Sequence, residues 1–250
     1  LFHCLIQPES LSCILKKYKM IHKIKDVNEY FRKEKVVKPD NKVLVIIIPG
    51  SKPKNIKLPI LGNIIDIVYS ELSADPTTDN PWLLELFREI EKKTCYEASV
   101  FRWNEGITET FGIKPSSDNF VDYLKKVETE YDDIIIYGKS LGAIVAERAL
   151  QKYNCKKVKL LIYNSVPGIC SKTLPKHIQA VYIKSTKDTF LKLTNILLSL
   201  YKIIGKKPGY TFVSDSLTHV MWNDKNVTVT LENNQEKKLF DFYLDIFKSF

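Results

Sequence analysis

The stretch Ile134-Ile135-Ile136-Tyr137-Gly138-Lys139-Ser140-Leu141-Gly142-Ala143-Ile144-Val145-Ala146 decides how this chain is read. Its first four residues are β-branched or aromatic without a polar interruption, the pattern of a strand buried on both faces. From Leu141 to Tyr153 the apolar residues Ile144, Val145, Ala146, Ala149 and Leu150 fall at helical spacing. Between strand and helix lies a five-residue turn in which Ser140 has a glycine two positions before it and another two positions after. A serine on so tight a turn takes a strained backbone, and its neighbours at those two positions must be small to avoid collision. With nine glycines in 250 residues, such a Gly-x-Ser-x-Gly arrangement is seldom met by chance, and still less often between a strand and a helix. The turn lifts the hydroxyl clear of the sheet, and the helix start aims unpaired amides at a developing negative charge.

Outward from this segment, strand-like runs recur at Val43–Ile48, Ala98–Trp103, Asp133–Tyr137, Val158–Tyr163 and Gln179–Ile183. None alternates cleanly with polar residues, so the sheet is expected to be mainly parallel and covered by helices on both faces. Helical patterns separate the strands: Pro81–Lys93, Ser117–Glu130, Leu141–Tyr153 and a last one from about Gln235 to Phe250. Strand and helix in repeated order predict an α/β fold with right-handed crossovers. Neither an internal repeat nor a linker divides the chain, so residues 1–250 are read as one domain. Residues 1–42 are a poorly defined N-terminal segment, with an apolar stretch at Leu11–Leu15, strand character at Met20–Ile24 and a charged segment at Val27–Lys35.

Composition is that of an ordinary globular protein, 44% hydrophobic and 27% charged. The formal charge of +9 is almost wholly lysine, with arginine only at positions 32, 88, 102 and 148. Nucleic-acid sites draw on arginine forks, and here the lysine pairs are dispersed, so neither a nucleic acid nor an anionic surface is expected as partner. Five cysteines without a CxxC pair fit a reducing, cytoplasmic compartment, and no Cys/His spacing suggests a metal. The longest apolar run, Val43 to Pro49, is too short for membrane insertion. The chain begins with Leu1 rather than Met, which leaves a truncated or processed N-terminus open.

The elbow Gly138-Lys139-Ser140-Leu141-Gly142 between strand and helix resembles the α/β-hydrolase family, of the small esterase, lipase and thioesterase kind, over about residues 43 to 230. The resemblance implies an α/β-hydrolase fold, a Ser-acid-His triad in that chain order, an acyl-enzyme intermediate and no cofactor. A serine hydroxyl needs an adjacent base, normally a histidine held in one tautomer by a carboxylate. The family order removes His3 and His22; His177 precedes the strand Gln179–Ile183 at its N-terminal edge, whereas His219 follows the strand-like Tyr210–Val213. His219 is therefore the candidate base. Asp188 is the first carboxylate past a strand end between Ser140 and His219, with Asp215 as the alternative; Asp224 follows the histidine and breaks the order. Asp188 also suits the N-cap of a helix beginning at Thr189, and the two roles are compatible. By the same resemblance Leu141 N–H is the first oxyanion donor, and Ser51 N–H, in the loop Ile48-Pro49-Gly50-Ser51-Lys52, the second. The family often has His-Gly where this chain has Pro49-Gly50.

Residues 51–80 contain Leu61, Ile64, Ile65, Val68 and Leu72 at helical spacing, which reads as a lid or acyl-pocket wall, or equally as a further core helix. Trp103 and Phe111 stand where they either contact substrate or pack beside a strand end. The interval between Tyr163 and Gln179, about fifteen residues, leaves no room for a large cap domain. Apolar segments near the site favour a small acyl ester or thioester, lipids included, and no acidic anchor for a peptide amine is found. The competing reading is a non-catalytic binding protein on the same scaffold. Oligomeric state is not legible.

Overall fold

The computed structural model describes residues 41–50, 81–103, 112–166, 174–189, 191–192, 212–214, 217, 224–230 and 235–249. Its centre is β1 (Val43–Ile48), in which every residue is buried. Next to it runs β3 (Asp133–Lys139), parallel and in register from Val43 opposite Asp133 to Ile48 opposite Gly138. β2 (Glu97–Val100) pairs with the other edge of β1, and β4 (Val158–Asn164), β5 (Gln179–Ser185) and β6 (Phe212–Ser214) follow beyond β3. The six strands lie in the order β2-β1-β3-β4-β5-β6, every pairing parallel.

Alternate residues of these unbroken apolar strands enter two different cores. Val43, Val45, Ile47, Ile135, Tyr137, Leu160 and Ile162 face one side, with Trp82, Leu86 and Ile90 of α1 (Pro81–Lys93) and Phe242, Tyr243 and Phe247 of α4 (Leu239–Lys248). Leu44, Ile46, Ile48, Ile134, Ile136, Leu161 and Tyr163 face the other, with Phe120 and Leu124 of α2 (Lys114–Val127) and Ile144 and Val145 of α3 (Leu141–Lys152). A strand apolar on both faces needs a helical layer on each, and the four helices of the described residues supply them.

Several expected boundaries move, each for a local reason. The strand expected at Ala98–Trp103 pairs only over Glu97–Val100, and Phe101 closes the ladder by donating its N–H to Ile47 O at 2.9 Å. α2 begins at Lys114 rather than Ser117, because Pro115 suits a first helical turn, where its missing N–H has no partner to lose. Ser117, expected as a start signal, lies inside the helix and donates its hydroxyl to Lys114 O at 2.7 Å. The last helix does not start at Gln235. Glu236–Lys238 is instead β8, antiparallel to β7 (Thr228–Thr230), whose β-branched residues favour the pairing. Lys238 is still extended (φ −61°, ψ 140°), and the helix begins with the apolar run at Leu239.

Strand order reverses between β1 and β3, so the chain leaves the carboxyl ends of these neighbours in opposite directions. In open parallel sheets that divergence leaves a crevice where ligands bind. The link from β4 to β5, residues 165–178, is too short for a cap domain. This strand order, with a serine elbow after β3 at the reversal, is the α/β-hydrolase fold. Residues 1–40 and 51–80, and with them the N-terminal segment and the lid or acyl wall, lie outside the described residues.

Candidate active site

Ser140 stands between the last residue of β3 and the first of α3 with φ 48° and ψ −125°, a backbone region open in practice to glycine. Its N–H donates to Asn164 O at 2.8 Å, so the parallel ladder holds up to the serine itself and then breaks. Among the described residues only Ser165, the residue after β4, shares a positive φ without being glycine.

Both elbow glycines are forced by packing. A Cβ on Gly138 would lie 2.4 Å from Ala143 Cα, inside α3. One on Gly142 would lie 2.3 Å from Pro49 O and 2.6 Å from Ile48 O, at the end of β1. These are backbone atoms, so nothing flexible can yield. Gly142→Ala is therefore expected to lower stability by about 3 kcal/mol through overpacking, roughly 6–12 °C in melting temperature for a domain of this size. A thermal melt superimposing on that of the wild type would contradict this account of the turn.

The loop after β1 comes equally close. A Cβ on Gly50 would stand 3.2 Å from Ser140 Cβ and 3.4 Å from Lys139 O, so the Gly50 backbone is packed directly against the elbow. Leu141, first residue of α3, has an N–H that no intrahelical carbonyl can reach. The elbow and the β1 loop thus meet at Ser140 from two sides. Ser51 itself, like His219, Phe111, Leu61 and the alternative acid Asp215, lies outside the described residues.

Trp103 is 8% exposed and packs in the core on the α2 and α3 side, its indole N–H donating to Pro49 O at 2.8 Å. This packing bears on the site through Pro49. The same carbonyl abuts Gly142, so one oxygen ties Trp103, the β1 loop and α3 together. Trp103→Phe keeps most of the ring volume but strands that buried acceptor. It should cost about 1–3 kcal/mol in urea unfolding, with the slope of the transition unchanged; an unaltered midpoint would show the bond to be dispensable.

Asp188 follows β5 and is fully buried. Its Oδ1 accepts the Leu191 N–H at 2.9 Å and its carbonyl accepts the Lys192 N–H at 3.2 Å, so it caps the helical turn that starts at Thr189. The other histidine and aspartate weighed from sequence sit elsewhere. A ring nitrogen of His177 is 3.0 Å from Cys155 O at the amino edge of β5, and exposed Asp224 accepts the Asn226 N–H within a turn.

Two features had no signal in the linear pattern. Lys139, in the elbow's variable position, is 3% exposed; burial pushes its ammonium down to about 7, while the Asp188 carboxylate pulls the other way. Under the elbow, Asn164 Nδ2 donates to the hydroxyls of Tyr137 (2.7 Å) and Tyr243 (2.8 Å). Burial pushes both phenols up and keeps them neutral. This polar bracket joins β3, β4 and α4 directly beneath the serine. Among the described residues no group of three or more His, Cys, Asp or Glu side chains could hold a metal ion, and no helix is long and apolar enough to cross a membrane.

No protein-family model matches the chain, and no curated protein does. Among solved structures, it is similar to an uncharacterized protein from Bacillus cereus (15% identity, TM-score 0.44, 96% of this chain over 66% of that one). It is also similar to an α/β serine hydrolase without lid from Xanthomonas campestris (13%, 0.46, 85% of this chain and 84% of that one). A third likeness is to the cutinase of Trichoderma reesei (12%, 0.39, 78% and 83%). These are distant likenesses of fold, and the assignment of the α/β-hydrolase fold stands on the sheet order and elbow of this chain.

Proposed function

We propose that this protein is a serine hydrolase that cleaves a carboxylic ester or thioester of a small acyl substrate. The observation that carries the reading is the backbone of Ser140. A non-glycine residue held at φ 48°, ψ −125° costs of order 1–3 kcal/mol, and here the surrounding glycines, loop and helix are all shaped to maintain it. A serine needed only to fill a turn gains nothing from that arrangement, because glycine fills it without strain.

In this mechanism Ser140 Oγ attacks the acyl carbonyl, His219 takes the hydroxyl proton and returns it to the leaving oxygen or sulfur, and Asp188 orients and charge-balances the imidazolium. Leu141 N–H and Ser51 N–H stabilise the tetrahedral oxyanion, and water then releases the acyl group by the reverse proton path. The position of Asp188 supports its place as acid: it is fully buried just past the carboxyl end of β5, with one carboxylate oxygen held by the Leu191 amide.

The direct test is labelling with a fluorophosphonate probe alongside a panel of acyl esters and thioesters of increasing chain length. The reading expects one label per chain, lost in Ser140→Ala, and hydrolysis lost in the same variant. Equal labelling of wild type and Ser140→Ala would sink it.

A further inference from the structure

Along the edge of β1 that faces β2, the last carbonyl is met by a side chain. Phe101, one residue past β2, donates its N–H to Ile47 O at 2.9 Å. Two residues further along both segments, the donor to Pro49 O is the Trp103 indole, at 2.8 Å. A side chain thus continues the ladder beyond the strands. By this point β1 has lost its other supports: pairing with β3 ends at Ile48 opposite Gly138, and Pro49 has no N–H to donate. Pro49 is buried, and its oxygen lies against Gly142, where a Cβ would stand 2.3 Å from it. A carbonyl enclosed in this way is left desolvated and unpaired when its donor is removed.

The peptide that carries this oxygen is planar and trans, so its C=O and the Gly50 N–H point opposite ways. The bond that fixes the Pro49 carbonyl therefore fixes the Gly50 amide and the direction in which the chain leaves it. Gly50 in turn is packed on the elbow, where a Cβ would stand 3.2 Å from Ser140 Cβ. From indole to serine the connection is one hydrogen bond, one rigid peptide and one backbone contact.

We propose that Trp103 is a positioning residue for hydrolysis: through Pro49 O its indole N–H holds the Gly50 backbone in place beside Ser140, and so sets the geometry in which the acyl group meets the nucleophile. The proposal rests on the serine-hydrolase reading above and adds to it a residue that acts through the β1 loop without touching substrate. Released from the indole, the carbonyl turns toward another donor, and the planar peptide carries the Gly50 amide with it. A displacement of about 1 Å beside reacting atoms can cost on the order of a hundredfold in rate. The loss falls on kcat, because the contacts that bind the ground state are left alone.

The test replaces Trp103 in the full chain with benzothienylalanine, a sulfur isostere that keeps the shape of the indole and lacks its N–H. Trp103→Phe stands beside it, and a ring-fluorinated tryptophan, which keeps the N–H, serves as rescue. Both kcat and KM are measured on a chromogenic short-chain ester, per active site titrated with a fluorophosphonate, so that an unfolded fraction does not enter the comparison. The expected result is kcat lower by about tenfold or more in the isostere and in Trp103→Phe, KM within about twofold of the wild type, and kcat restored by the fluorinated ring. An isostere that turns over like the wild type per titrated site overturns the proposal and leaves the bond a matter of stability alone. A raised KM at unchanged kcat also overturns it, by making Trp103 a substrate contact. Should Trp103→Phe fail to fold, the isostere carries the comparison at equal volume; an isostere that fails to fold as well assigns the bond to the core, and the proposal falls. The two readings separate: a wild type that neither hydrolyses nor labels, or a Ser140→Ala that keeps its activity, defeats the hydrolase reading and the proposal together. An inactive Ser140→Ala beside a fully active isostere defeats the proposal alone.

Discussion

Ser140→Gly is expected to be inactive and, at the same time, more stable than the wild type. The activity falls because the variant lacks the nucleophile; what is left is binding and oxyanion stabilisation, so kcat should drop by at least about four orders of magnitude. Stability moves the other way because φ 48° with ψ −125° is strained for serine and open to glycine. Relief of strain is worth of order 1–3 kcal/mol, and the extra chain entropy that glycine loses on folding takes back roughly 0.5–1 kcal/mol. The net gain is about 1 kcal/mol, or roughly 2–4 °C in melting temperature. Ser140→Ala provides the contrast: it loses the same activity but keeps its Cβ and hence its strain, so its melting temperature stays near that of the wild type. Calorimetry of the three proteins decides the matter, and a Gly variant less stable than Ala would mean that the turn is not strained at the serine.

That trade between stability and chemistry was partly legible in the sequence. A run of Ile134, Ile135, Ile136 and Tyr137 has no polar face to offer water, so its burial on both sides could be read directly, and with it the parallel sheet. Gly138 and Gly142 announced a tight turn because two glycines around a serine are rare. What they avoid was not legible: Gly138 clears Ala143 a few residues along the chain, whereas Gly142 clears Pro49 and Ile48, some ninety residues away in sequence. Distance along the chain also hid Trp103, whose indole bonds to Pro49, and Asn164, which meets Tyr243 from the last helix. Lys139 was the hardest to read. A lysine in a turn is normally solvated, and only the folded structure reveals that this one is 3% exposed. In the sequence the short β8 reads as helix because the amphipathic run of α4 follows it without a break; only pairing with β7 distinguishes Glu236–Lys238.

Asp188 carries two duties that a pair of substitutions can pull apart, and the larger effect is on catalysis. Asn at this position accepts the Leu191 N–H as Asp does, so the helical turn keeps its cap. It carries no charge, however, and a neutral amide neither fixes the required tautomer of His219 nor stabilises its imidazolium. Asp188→Asn should therefore lower kcat by about three to four orders of magnitude with only a small change in melting temperature at pH 8. Asp188→Ala should lose the same activity and about 1 kcal/mol more stability, because the cap goes too. The Asn variant also removes the Asp188 charge that raises the Lys139 ammonium's pKa. Lys139 is already pushed down to about 7 from 10.5, so in the wild type folding loses stability as pH falls from the unfolded value toward the folded one. Without Asp188 the folded value drops further, and the loss continues to lower pH: the Asn variant should match the wild type near pH 8 and melt progressively earlier below pH 7. A fully active Asp188→Asn beside an inactive Asp215→Asn would transfer the acid role to Asp215.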